Sequence, residues 1–210
     1  MTAGALQRAI RRRADGLGRG SGERCDLCGA GVPDAHAHLL DERQDHLLCA
    51  CRACGLLFER EAAGRGHYLL VPDRRVRLSG VPAAELGVPV GLAFFVRGTD
   101  GAVRAHYPSP AGATRCEVDP GRWRRVAEAC EPLRSMRPAV EALLVNTVRG
   151  ADEQWLVPID ECYRLVAVVR GSWKGLSGGR EVWPEIDRFF AGLAGRGGPR
   201  GAHRHRAAAT

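Results

Sequence analysis

A repeated pattern, Cys25-Asp26-Leu27-Cys28-Gly29 and Cys51-Arg52-Ala53-Cys54-Gly55, constrains this chain more than any other feature. Each copy reads C-x2-C-G, and 22 residues lie between Cys28 and Cys51. A C-x2-C turn brings two thiolates to one side of a tight bend, and a following glycine can take the positive φ that aims backbone N–H groups at sulfur. Two such knuckles supply four sulfurs, the donor set of a closed tetrahedral site, most simply zinc. Iron in a rubredoxin-like site is the competitor, because the same sulfur cage accepts either ion. A closed site leaves no position for a substrate, so the motif speaks for architecture before chemistry.

The spacing is longer than the usual ribbon range of about 15–20 residues, and the intervening residues account for the excess. Ala35–Leu40 and His46–Cys49 read as two short strands joined by the polar run Asp41-Glu42-Arg43-Gln44-Asp45, the hairpin of a zinc ribbon. Cys25, Cys28, Cys51 and Cys54 are the expected ligands. Cys49, His36 and His38 are possible additional ones, and His46 also lies on the hairpin. Residues two apart on a strand share a face, so Cys49 can approach the metal or act as a fifth, reactive thiol; the alternative is a small buried apolar residue. His36 and His38 share a face as well, either as a second metal pair or as ordinary half-exposed strand histidines.

A ribbon takes its folding free energy largely from its metal, so a chain of 210 residues needs a hydrophobic core elsewhere. Four segments are expected: a basic flexible N-terminus at 1–24, a zinc-ribbon-like metal-binding module at 25–60, an α+β domain at 61–194 and a disordered basic tail at 195–210. The net charge of +7 resides in the ends: residues 1–24 and 195–210 each carry +4, and the body carries −1. With one lysine among 31 basic residues, the composition also reflects an arginine-rich coding bias. Arg-rich ends can dock on nucleic acid, but the ribbon lacks the aromatic pair on which single strands stack. His203 and His205 in the tail make a poor metal store. No apolar run approaches membrane-spanning length and no leader is evident, so a cytoplasmic protein with no membrane span is expected. Cys116, Cys130 and Cys162 lie apart, as reduced thiols do.

Beyond the ribbon, residues 67–78 read as short extended pieces. Val90–Arg97 and Ala102–Tyr107 form a hairpin across Gly98-Thr99-Asp100-Gly101, and Thr114–Val118 adds a strand. Asp119-Pro120 opens a helix with Asp as N-cap and Pro at its first position, its stripe running Trp123, Val126, Ala127, Cys130. Strands Ala142–Val148 and Gln154–Val157 follow. The next helix has Asp160 as candidate cap and a stripe of Cys162, Leu165, Val166, Val169 and Trp173. Cys162, in the first turn, is the best nucleophile candidate by position, yet the stripe makes it a packed thiol, and His106 offers no motivated base. Lys174–Gly179 lacks the order of a phosphate loop and reads as a helix stop. Pro184 starts a last helix with stripe Ile186, Phe189, Phe190, Leu193. The class is therefore α+β: a zinc-ribbon-like hairpin, then a mainly antiparallel sheet packed with about three helices.

Cys25-Asp-Leu-Cys28, His36-Ala-His38-Leu-Leu-Asp41 and Leu47-Leu-Cys49-Ala-Cys51-Arg-Ala-Cys54 resemble an uncharacterised bacterial domain-of-unknown-function family. So do Val157-Pro-Ile-Asp160, Cys162-Tyr163, Trp173, Gly178-Gly179 and Phe189-Phe190. The resemblance covers most of residues 25–194 and implies a setting near nickel-iron hydrogenase genes. It implies no mechanism. The leading expectation is a zinc-ribbon accessory protein, not an enzyme, that works by contact with a protein partner such as a hydrogenase subunit or maturation factor. A redox or metal-delivery protein using iron or an exchangeable metal is the second expectation, and an Arg-tailed nucleic-acid binder the third.

Overall fold

The apolar run Leu92-Ala93-Phe94-Phe95-Val96 cannot be satisfied by a strand with one wet face, and in the structure neither face is wet. A computed structural model describes residues 22–59, 67–87, 91–174 and 179–196. In chain order the strands are β1 (Ala37–Asp41), β2 (His46–Ala50), β3 (Tyr68–Leu70), β4 (Val76–Arg77), β5 (Leu92–Arg97), β6 (Val103–Ser109), β7 (Gly112–Glu117), β8 (Glu141–Asn146) and β9 (Glu153–Pro158). Among the described residues five α-helices accompany them: α1 (Arg52–Leu56), α2 (Pro120–Glu128), α3 (Glu131–Arg134), α4 (Ile159–Ser172) and α5 (Val182–Arg196). A six-stranded sheet has the order β4-β9-β8-β5-β6-β7, and a three-stranded sheet the order β2-β1-β3. Every strand pair is antiparallel. The α+β architecture thus matches the expectation, with two short helices, α1 and α3, added to the three whose stripes the sequence displays.

Period-two alternation splits the large sheet between two cores. Phe94, Ala142, Leu144, Trp155 and Val157 face one side, where α4 and α5 cover them with Leu165, Val166, Val169, Ile186, Phe189 and Leu193. Ala93, Phe95, Leu143, Val145 and Leu156 face the other, under Leu86, Trp123, Val126, Leu133 and Met136. β8, central and buried at every position, is where both cores meet. At about 1.5–3 kcal/mol for each large side chain taken from water, these layers are the main source of stability in the body.

Local chemistry behaves as read at several joints. Asp119 caps α2, its carboxylate accepting from Arg122 N at 2.8 Å. Gly98–Gly101 turns β5 into β6. β6 runs on through Pro108, which is tolerated because pairing with β5 ends at Phe94↔His106 and only β7 flanks the proline. Two helix expectations are corrected. Cys130 does not lie on the buried stripe of α2: the helix stops at Glu128, and Cys130 becomes the half-buried residue that opens α3. Asp160 does not cap α4; Pro158 occupies that position, and Asp160 sits in the first turn with its side chain turned to β1. The basic ends, 1–21 and 197–210, and residues 175–178 of the helix-stop segment lie outside the described residues.

The segment leading from β3 to β4 is tied down by charge. Arg74 grips the buried Glu141 at the start of β8 through Nε at 2.9 Å and Nη2 at 2.8 Å, and Arg137 N also donates to that carboxylate at 2.8 Å. Arg75, itself buried and paired with Asp73, reaches Glu161 in the first turn of α4 at 2.9 Å. Charges removed from water this way are costly unless every partner is in place, so the two arginines fix one path for the chain.

His106 on β6 lies flat against Phe94, ring centroids 4.7 Å apart and planes 8° from parallel. Burial, with Arg115 and Arg104 adding like charge, pushes its pKa down to about 4. The folded state thus holds the ring neutral where an unfolded chain takes up a proton. The contribution is complete above the ordinary histidine value and is lost as pH falls toward about 4. His106→Gln is therefore expected to remove about 2 kcal/mol of the stability decline seen between pH about 7.5 and about 5. Urea unfolding of both proteins at the two pH values checks this; equal declines would refute it.

Candidate metal centre

The two knuckles close by different local routes. In the first, Gly29 N donates to Cys25 O and Cys25 N to Ala30 O, both at 2.8 Å, and Gly29 takes the left-handed φ of 76° that the motif anticipates. In the second, Cys51 is the N-cap of α1 and its sulfur accepts from Cys54 N at 3.4 Å. Gly55 is helical rather than left-handed, and its requirement is different: a Cβ there would lie 3.2 Å from Ala37 Cβ on β1. The hairpin between them forms as read, with Ala37↔Ala50 through Asp41↔His46 in register. The buried carboxylate of Asp41 folds the turn by accepting from Arg43 N at 3.0 Å and Gln44 N at 3.3 Å. Tyr68–Leu70 then adds a third strand against β1.

This brings Cys25, Cys28, Cys51 and Cys54 together, their sulfurs all within 4.8 Å of one another. Cys28 and Cys51 sulfurs stand 3.7 Å apart. That is too far for a disulfide of about 2.05 Å and close to the roughly 3.8 Å that a tetrahedral ion with metal–sulfur bonds of about 2.3 Å imposes. The donor set can hold a metal ion. Its proton chemistry points the same way. Burial raises the Cys25 thiol, but the backbone amides around Cys51, Cys28 and Leu27 more than offset it and bring its pKa down to about 6. Cys54 is pushed up to about 12, first by Cys51 and then by Cys28. One thiolate is favoured and further ones are penalised by their neighbours, a balance that a cation reverses.

Cys49 does not join these four. It belongs to a separate group with His36 and His38, whose donor atoms also lie within 4.8 Å of one another. His38 Nδ1 stands 3.1 Å from Asp160 Oδ2, linking β1 to the first turn of α4. Burial raises the Asp160 carboxyl, yet the His38 bond and charge, with Arg75, hold it below the ordinary carboxylate range.

The nucleophile question resolves against reactivity. Cys162 is fully buried in the larger core, and burial pushes its thiol well up, with Asp160 and Glu161 adding to the effect. His106 lines a cleft of about 340 Å³ whose floor is Leu40, Phe94 and Ile159. Nothing in the sequence marks this cleft, because its lining comes from the β1–β2 turn, β5 and the turn after it, β6, β7 and α4. Its rim charges pair among themselves, Asp100 with Arg104 at 2.7 Å and Asp45 with Arg115 at 3.7 Å.

Cys51→Ser is expected to release the metal and unfold residues 25–58 locally, whereas Cys162→Ala should cost only packing, on the order of 1–2 kcal/mol. Elemental analysis with hydrogen exchange distinguishes them; full metal content in Cys51→Ser would overturn the ligand assignment.

The model of a family of unknown function (DUF5947) matches residues 24–197. No match is found among curated proteins or among solved structures.

Proposed function

The chain belongs to this family of unknown function, and we propose that it is a cytoplasmic zinc-ribbon accessory protein that acts by protein–protein contact rather than by catalysis. The observation that carries the reading is the closed four-sulfur cluster, whose donors fill a tetrahedral ion and leave it no coordination position for a substrate. Zinc is the ion assigned, held by Cys25, Cys28, Cys51 and Cys54.

The contact surface is assigned to the knuckles themselves. Among the described residues the exposed large apolar side chains are Leu27 at 41%, Leu56 at 52% and Leu57 at 62%. Leu27 lies inside the first C-x2-C turn, Leu56 is the last residue of α1 and Leu57 is its C-cap, so a metal held by the cysteines fixes the turn and the helix end that display them. Exposed leucines on a rigid turn and helix end are the kind of anchor a partner groove takes up. The partner assigned is a nickel-iron hydrogenase subunit or maturation factor, following the resemblance of the cysteine-histidine segment. No helix of the described residues is long and apolar enough to cross a membrane.

Zinc that resists dialysis, in protein with no visible absorption, is the expected result; a coloured iron centre in the four-sulfur site would favour an electron carrier and overturn this reading. For the partner, Leu56→Asp combined with Leu57→Asp should keep zinc but lose co-purification with hydrogenase polypeptides from the native host. Equal recovery with wild type would refute the assigned surface.

A further inference from the structure

His36, His38 and Cys49 have the makings of a metal centre in their own right. His38 and Cys49 are direct cross-strand partners on β1 and β2, and His36 lies two residues before His38 on the same side. The three donor atoms fall within 4.8 Å of one another. The two imidazoles meet at 4.6 Å with planes tilted 54°, an arrangement that is not flat stacking. An ion with metal–nitrogen bonds of about 2.0–2.1 Å and a metal–sulfur bond of about 2.3 Å holds its donors roughly 3.3–3.7 Å apart. Side-chain torsion supplies the remaining ångström or so.

The outer contacts orient both rings for this task. His36 Nδ1 lies 2.8 Å from the Pro33 carbonyl, which can only accept, so that nitrogen carries the hydrogen. In the neutral ring the lone pair then belongs to His36 Nε2. That atom is buried without a hydrogen-bond partner, on a side chain only 2% exposed, with the Glu23 carboxylate at 3.6 Å. A buried ring nitrogen left so costs free energy that a bound ion would recover. His38 is held by the Asp160 carboxylate at Nδ1, which leaves its Nε2 as the donor. A carbonyl or carboxylate on the second nitrogen is the usual support of a metal-bound histidine. Cys49 is fixed through its backbone: its N–H donates to Asp26 Oδ2 at 2.7 Å and its carbonyl accepts from Asp26 N at 2.8 Å.

We propose that His36, His38 and Cys49 form a second metal centre, distinct from the four-cysteine cluster, that binds a borderline first-row ion such as zinc, cobalt, nickel or copper and keeps one coordination position open. Two imidazoles and one thiolate match ions of that class. Three protein donors leave a tetrahedral ion one vacancy, the condition for exchange or for binding an outside ligand. The centre lies where the hairpin meets α4, with Asp160 as its support from the body.

The full chain titrated with cobalt(II) tests this, with elemental analysis after gel filtration. Two equivalents are expected, the second more readily removed by a chelator. His38→Gln and His36→Gln should each take up one equivalent, with the sulfur-to-cobalt absorption of the four-cysteine cluster retained. Cys54→Ser should disturb that absorption instead, so failure of the four-sulfur reading is visible separately. Asp160→Asn, which removes only the outer carboxylate charge, should weaken the second equivalent by about 10–100-fold without touching the first. Uptake of a single equivalent by the wild-type chain, or two equivalents of unchanged affinity in His38→Gln, overturns the proposal and leaves these histidines as partners of Glu23 and Asp160 only.

Discussion

Four cysteine sulfurs packed within 4.8 Å of one another form a donor set that can hold a cation. Without one, the first thiolate to form makes the next harder, as the separation between Cys25 and Cys54 records. With one, the binding free energy becomes folding free energy for everything the knuckles anchor. The strands that would benefit are short: β1 and β2 are five residues each, and a hairpin of that length is marginal in water on its own. The β1–β2 register, the position of Ala37 against Gly55 and the display of Leu27, Leu56 and Leu57 all follow from the two knuckles meeting.

β1 transmits that order to the body. Leu40 belongs to the same core as Phe94 and α4, His38 O accepts from Val71 N at 3.0 Å, and His38 meets Asp160. The chain then runs directly into Asp73-Arg74-Arg75, where two consecutive arginines take two buried glutamates. Apolar contact alone would permit the hairpin to slide on the sheet. Charges that lose several kcal/mol if mispaired do not permit it. Hydrophobic burial thus supplies the magnitude of the attachment, and the arginine pairs supply its register.

Much of this was legible in the sequence, and for identifiable reasons. The knuckles, the hairpin between them, the Gly98–Gly101 turn, the Asp119 cap and the stripes of α4 and α5 are all signals carried within a few residues. What escaped were arrangements made by residues distant in sequence. Asp160 has the type and place of a cap, but a histidine more than a hundred positions earlier claims its carboxylate. Gly55 reads like Gly29, yet it is small because Ala37 approaches it, which no local pattern reveals. Cys130 sits at a helical spacing, but the helix ends before reaching it, with Glu131-Pro132 starting another. The cleft around His106 is lined from several elements distant in sequence and leaves no trace in any one of them.

The run Cys49-Ala50-Cys51-Arg52-Ala53-Cys54 is ambiguous as text, since any two of its three sulfurs can serve a knuckle. Strand register removes the ambiguity. Pairing of β1 with β2 ends at Ala37↔Ala50, so Cys49 is still inside the sheet and must share the face of its partner His38. Cys51, one residue past the last pair, is released from the sheet and turns to cap α1. Ala50, fully buried between them, keeps the two sulfurs on separate errands. Residues two apart on an extended chain have Cα atoms about 7 Å apart, so a closed cluster and an open His-His-Cys centre would be neighbours joined by one short rigid strut. Asp26 reinforces that strut from the first knuckle by bonding both the N–H and the carbonyl of Cys49. An ion held in the four-sulfur cage would therefore hold the backbone of Cys49 in place, which is the preorganisation that a weaker, three-donor site requires.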